Sequence, residues 1–271
     1  MERVLGLMCG AGTLPAHVAS EARRQGWRVV AFTFADAPAV EGVAHLEIPG
    51  RVTDIGGVLD GLRQERVSAV VFAGKLWKRE LLDGVATADP AGREMLRAAG
   101  GLSDSGLAEA VVGTLGAMGI EVLDQRAFLA PLLVAPGLLT SRAPSEAEWK
   151  DIRLGLSLAR QCGGFGVGQT VVLKHGVVAA LEGIEGTTET IRRGCGLAGP
   201  GAVVVKAVAP RHDYRFDVPA VGSETVGALA EGRAAVLAVE AGRVLLLDRE
   251  AVVARARSDG IAIVSLDPDA P

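Results

Sequence analysis

"RVLGLMCGAGTLPAHVASEARRQGWRVVAFTF", residues 3–34, decides the architecture of the first half of the chain. Residues 3–10 are an apolar run of the length of a buried strand. Residues 14–26 follow with a helical period, and residues 27–34 return to a strand pattern. Strand, helix and strand joined by a glycine-bearing turn form a unit whose two strands lie parallel. Further along, residues 55–66 ("IGGVLDGLRQER") read as a helix and 67–74 ("VSAVVFAG") as a third strand. Residues 107–119 then predict a helix and 120–124 a strand, so the alternation persists and a Rossmann-like parallel sheet is expected.

The apolar period stops in "APGLLTSRAPSEAEWK", residues 135–150, where Pro136, Gly137 and Pro144 interrupt the backbone. Ser145 followed by Glu148 is the signature of a capping box that opens a new helix. The chain of 271 residues is long for one domain, and this stretch divides it: a domain over 1–134, a linker and helix start over 135–150, and a second domain over 151–271. The second domain reads as mixed α/β. A helix leads into "GQTVVLKHGVVAALE" (168–182), two strands turning at His175–Gly176. Strands at 201–209, 234–240, 243–248 and 261–266 then alternate with helices after 185, from Ser223 and over 249–260.

Composition excludes several functions. With 28 Lys and Arg against 32 Asp and Glu, and a net charge of -4, the chain lacks the basic field of a nucleic-acid binder, so no nucleic-acid partner is expected. The three cysteines, Cys9, Cys162 and Cys195, are far apart and form no CxxC, which fits neither a disulfide framework nor a zinc site. The longest apolar run, from Ala127, is broken by Pro131 and Pro136 and is shorter than the roughly 20 residues that span a bilayer. The N-terminus runs into a strand without a signal-peptide core. A soluble, cytoplasmic protein is the expectation, with surface contact to a membrane left open.

Four places hold the residues of a site. After the first strand, Gly10 and Gly12 precede Thr13 and Leu14 at a helix start, a geometry that suits an anion. Gly74 and Lys75 end the third strand at the carboxyl edge, where ligands of open sheets collect. A dinucleotide fingerprint would need a glycine where Pro15 stands, although Asp36 sits where a ribose-binding acid belongs. In the second half, "EGTT" (Glu185, Gly186, Thr187, Thr188) opens a helix with Thr187 or Thr188 as N-cap and exposes backbone N–H groups. The densest chemistry lies in "RHDYRFDVPAVG", residues 211–222. If that stretch is extended, Arg211, Asp213, Arg215 and Asp217 share one face, combining metal-binding carboxylates with phosphate donors. A solvated strand end laced with salt bridges would carry the same residues.

Taken in order, "GLMCGAGTLP", "FAGK", "GLLTSRAPSE…DIRLG", "GQTVVLKHGVVAALEGIEGT", "VKAVAPRHDYRFDVPAVG" and "AVEAGRVLLLDREAVV" resemble the LpxI-type UDP-2,3-diacylglucosamine pyrophosphatases of Gram-negative lipid A biosynthesis. The resemblance runs nearly end to end. It implies two α/β domains with a site in the cleft between them, opening about the linker. It also implies hydrolysis of UDP-2,3-diacylglucosamine at the α-phosphorus to UMP and 2,3-diacylglucosamine 1-phosphate (lipid X). The family's catalytic Asp, in the element R-x-D-x-P-x-x-G, falls on Asp217, with Arg215, Pro219 and Gly222 in register.

The implied cofactor is Mg2+, with Mn2+ as an alternative, held by Asp217 and Asp213. Lys206, Arg211 and Arg215 would contact phosphate, and Gly10, Gly12, Thr13, Leu14, Gly74, Lys75, Gln169 and Glu185–Thr188 would line the substrate. Transient contact with the inner membrane and a homo-oligomer are compatible with this reading. The chain departs from the family at Ala209–Pro210–Arg211–His212, where Lys-Pro-x-Gln is usual, and at Thr188, where an acid is usual. Two other readings remain on sequence grounds: an NAD(P)-dependent oxidoreductase using the first glycine loop and Asp36, and a non-catalytic protein that binds lipid X or a nucleotide sugar.

Overall fold

The computed structural model describes residues 2–34, 40, 42–75, 87–101 and 104–268; Asp36 lies outside them. Packing separates two units. One runs to Ala130 and takes in Asp213–Asp217; the other comprises Pro131–His212 and the chain from Val218 onward.

In the first unit β1 (Val4–Cys9), α1 (Leu14–Arg24), β2 (Arg28–Thr33), β3 (Leu46–Pro49), α2 (Ile55–Gln64) and β4 (Ala69–Ala73) precede α3 (Pro90–Ala99), α4 (Asp104–Ala117), β5 (Glu121–Val122) and the helical turn α5 (Arg126–Leu129). The five strands lie in the order β3-β2-β1-β4-β5, all parallel. Continuous apolar runs suit such strands because both faces are covered, and every residue of β1 is buried. On α1 the buried positions are Pro15, Val18, Ala19 and Ala22, the spacing of one helical face. Strand β3 and helix α3 escape the sequence pattern. Strand β3 is a four-residue edge with exposed Leu46 and Pro49, too short and too polar on its flanks to signal a strand.

The order reverses between β1 and β4, and there the loops leaving the two strands bond to each other. The Gly10 N–H donates to Ala73 O (2.8 Å), while Ala11 and Lys75 exchange both backbone bonds (2.9 and 2.8 Å). A Cβ on Gly10 would stand 2.6 Å from Lys75 O, and one on Gly74, whose φ is +88°, would stand 2.6 Å from Gly10 O. Both glycines are therefore required by backbone-to-backbone approach.

The second unit contains β6 (Gly137–Leu138), α6 (Glu146–Gly164), β7 (Thr170–Lys174), β8 (Val177–Leu181), α7 (Thr187–Ala198), β9 (Val203–Lys206), β10 (Ala220–Val221), α8 (Ser223–Glu231), β11 (Val236–Glu240), β12 (Leu245–Leu246), α9 (Arg249–Ser258) and β13 (Ala262–Leu266). Its main sheet is mixed, in the order β6-β13-β11-β9-β7-β8. Strands β9, β11 and β13 are parallel; β7 is antiparallel to both neighbours, and β6 is antiparallel to β13.

The hairpin turns at His175 (φ 51°) and Gly176 (φ 78°), and buried Asp151 on α6 accepts both of their N–H groups at 2.8 and 2.6 Å. The capping box forms as the sequence predicts: Ser145 Oγ accepts from the Glu148 N–H, and the Glu148 carboxylate accepts from the Ser145 N–H. Residues 137–140, within the expected linker, are bonded onto the sheet. Leu139 donates to Ile263 O, and Thr140 Oγ1 accepts the Ile263 N–H at 2.9 Å. The strand expected over 243–248 shrinks to β12, paired in parallel with β10 apart from the main sheet.

Gly10→Ala and Gly74→Ala are each expected to lower the free energy of unfolding by about 2 kcal/mol or more, through clash and, at position 74, backbone strain. Gly113→Ala, on an exposed turn of α4 with open space around the added methyl, is expected to raise it by about 0.5–1 kcal/mol. Urea denaturation of the three variants distinguishes these outcomes.

Candidate active site

The condition under which residues 211–217 would share one face, an extended strand, is not met. Tyr214–Phe216 form a turn, so Arg211, Asp213, Arg215 and Asp217 do not alternate along one face. The Arg215 guanidinium folds back onto Asp213, two residues away, with Nε and Nη2 2.9 and 2.8 Å from its carboxylate oxygens. A turn allows this local bidentate pair, whereas a strand would hold the two side chains parallel. Asp213 and Asp217 are both exposed, as is Arg211.

Residues of the first unit pin this turn. The Gln125 N–H donates to Tyr214 O (3.1 Å). The side-chain amide of Gln125, 3 % exposed, donates to Phe72 O (3.2 Å) and accepts the Asp217 N–H (3.3 Å) in the orientation that satisfies both ends. Arg126 lies over the Tyr214 ring at 3.7 Å and grips Asp124 at 2.6 Å. Phe72, on β4, meets Phe216 with ring centroids 5.1 Å apart. Burial works to raise the Asp124 carboxyl and nearby Asp213 adds to that, yet the bonds from Arg126 hold it below the usual carboxylate range.

At the end of β1, Gly10 is committed to the backbone pairing described above, as are the backbone groups of Lys75. Thr13 is the N-cap of α1 but makes no side-chain capping bond, and Leu14 is the first helical residue. Gly12, at φ +97° with open space around it, shapes the turn before them.

In the second unit a buried polar network surrounds the start of α7. Its N-cap is Gly186 (φ 80°) rather than either threonine. Thr187, the first helical residue, donates to Glu182 Oε1 (2.9 Å) and accepts from Lys206 Nζ (2.6 Å). Lys206 is 5 % exposed, so the ammonium expected to reach phosphate is satisfied locally. Burial pushes the Glu182 carboxyl up, but the Lys206 charge and bonds from Thr170, the Gln169 N–H and Thr187 together hold it below its ordinary range. Glu185 pairs with Arg193 and Thr190, and Thr188 follows on the first turn of α7.

The sequence reading missed Glu182, Gln125, Asp124 and Arg126, and also Glu240. That carboxylate is fully buried, accepts the Val208 N–H at 2.7 Å and meets Arg160 at 2.6 Å. An acid closing an apolar strand, as Glu240 closes β11, is the signal that could have found it. The cysteines are free thiols. Burial, helped by the Glu47 charge, raises Cys9 to about 12, and burial raises Cys195 to about 11, so neither supplies a thiolate nucleophile. Among the described residues no helix is long and apolar enough to cross a membrane.

Comparison with known proteins covers almost the whole chain. Residues 4–132 match the model of the LpxI N-terminal domain, and residues 135–264 match that of the LpxI C-terminal domain. The chain is similar to UDP-2,3-diacylglucosamine pyrophosphatase LpxI of Caulobacter vibrioides, 30% identical over 98% of each chain.

The network at α7 makes a pH-dependent prediction. The folded Glu182 carboxyl sits below its ordinary value of 4.5, so its stabilisation is complete above that value and is lost as the pH falls through the depressed one. Glu182→Gln is expected to cost about 3 kcal/mol at pH 7, because it strands the Lys206 ammonium, and progressively less toward pH 3. Adding Lys206→Met is expected to recover at least about 1 kcal/mol of the summed single losses. Denaturation curves at pH 7 and pH 3.5 read both effects.

Proposed function

Because the chain belongs to the LpxI family, we propose that it hydrolyses UDP-2,3-diacylglucosamine at the α-phosphorus, releasing UMP and 2,3-diacylglucosamine 1-phosphate (lipid X). The observation that carries this reading is Asp217: it falls on the family's catalytic position and is presented to solvent from a turn whose backbone is fixed by buried partners. A flexible strand end would hold its carboxylate less reproducibly, and a small misplacement of a reacting group is costly to the rate.

The cofactor in this reading is Mg2+, with Mn2+ as the alternative. Magnesium takes one or two protein carboxylates and fills its remaining positions with water and substrate phosphate. That demand suits this chain: Asp213 and Asp217 stand four residues apart on one turn, and among the described residues no group of three or more His, Cys, Asp or Glu could hold a metal unaided. Bound there, the ion would neutralise the phosphate oxygens and sharpen the electrophilicity of phosphorus. Asp217 would orient or deprotonate the attacking water. Arg215 holds Asp213 through a bidentate contact. Arg211, two residues beyond the usual lysine position, would supply a cation to the pyrophosphate. Lys206 would act through Thr187, whose hydroxyl it fixes at the N-terminus of α7. We place the protein in the cytoplasm, touching the inner membrane only to collect its lipid substrate.

UMP release from UDP-2,3-diacylglucosamine, followed with Mg2+ and after chelation, tests the proposal. Wild-type protein is expected to turn over only with metal, and Asp217→Asn to lose roughly 10²-fold or more of kcat with its unfolding transition retained. No release from folded wild-type protein would make it a binding protein, and full turnover by Asp217→Asn would remove that residue from the chemistry.

A further inference from the structure

The element that carries Asp217 belongs to the second half of the sequence, yet residues Asp213–Asp217 pack as part of the first unit. Four contacts hold it there. The Gln125 backbone N–H bonds Tyr214 O at 3.1 Å, the Gln125 amide, in the orientation that satisfies both its ends, bridges Phe72 O and the Asp217 N–H, Arg126 covers the Tyr214 ring, and Phe72 meets Phe216. Gln125 reaches the Asp217 peptide itself. Its amide is 97 % shielded from solvent, being only 3 % exposed. A buried amide left without partners costs about 1–3 kcal/mol, so its two bonds lock its orientation, and a locked acceptor locks the peptide that donates to it.

We propose that Gln125 is a positioning residue for Asp217: its amide fixes the peptide from which the Asp217 side chain springs, and thereby the direction of that carboxylate. Gln125 touches no reacting atom. It is the N-cap residue of α5, between Asp124 and Arg126, which pair with each other while the Arg126 guanidinium lies over the Tyr214 ring. The first unit thus supplies the frame and the second half of the sequence supplies the reacting group. This inference rests on the assignment of catalysis to Asp217, but the geometric part of it does not.

Gln125→Met preserves length and shape while removing both bonds. In wild-type protein and in this variant, hydrogen exchange of the Tyr214–Asp217 amides is measured alongside kcat and KM for UMP release. The expected result is exchange at the Asp217 amide at least about 10-fold faster, with kcat lowered roughly 10- to 10²-fold and KM within about twofold. In the Asp217→Asn background, Gln125→Met is expected to lower the residual rate no further, because a residue that acts only through Asp217 has nothing left to position. Unchanged exchange at Asp217 overturns the proposal whatever the activity. So does full kcat in Gln125→Met when Asp217→Asn is inactive, or a further loss in the double variant equal to that in the single one. Full turnover by Asp217→Asn would instead refute the catalytic assignment, and exchange alone would then judge the contact.

Discussion

The buried Gln125 amide is the constraint on which the candidate site depends. A stretch with two aspartates, two arginines and a histidine within seven residues has no apolar period of its own to set its course, and its charged groups would be as well satisfied by water. What fixes it is packing at its few uncharged points: Tyr214 under Arg126, Phe216 against Phe72, and the peptide of Asp217 on Gln125. The carboxylates are then left exposed on a backbone that is not free to move with them. This separation of anchoring groups from exposed carboxylates fixes the backbone without burying the charge.

Elsewhere the protein buries charge outright and compensates it. Lys206 and Glu182 meet through Thr187, and Glu240 is held by Arg160 and the Val208 N–H. Desolvating such groups costs several kcal/mol per ion unless partners are in place, so each network ties segments distant in sequence. Glu240 closes β11 and grips the chain just after β9, at the root of the loop that leads to Arg211. Glu182 ties the end of the hairpin to the start of α7 and to β9. The strands of the second unit thus end in bonded acids and a bonded lysine, and these set where the loops leave the sheet.

Family membership sharpens what those features are for. The departures at Ala209 and Thr188 fall at the edges of the two networks, while the R-x-D-x-P-x-x-G element that contains Arg215 and Asp217 is intact. A loop can exchange a cation for its neighbour, here Arg211, more readily than it can replace a carboxylate whose peptide is held by a buried amide.

Much of this was legible in the sequence by itself. The alternation of apolar runs with helical periods specified a parallel sheet followed by a mixed one, because burial on both faces imposes that pattern on any chain. Ser145 and Glu148 announced the start of α6, His175–Gly176 the hairpin, and the ordered motifs the family. Short elements such as β3 and β6 were not legible, since two to four residues carry too little periodicity to stand out. Nor was the shape of the 211–217 segment, whose extended form was conditional and which is found as a turn, or the identity of its anchors. Gln125 and Phe72 lie about 90 and 140 residues away in sequence, and a lone Gln or Phe has no pattern. Only the packed structure brings them to Asp217, because a buried hydrogen bond is a property of two positions at once and sequence displays them one at a time.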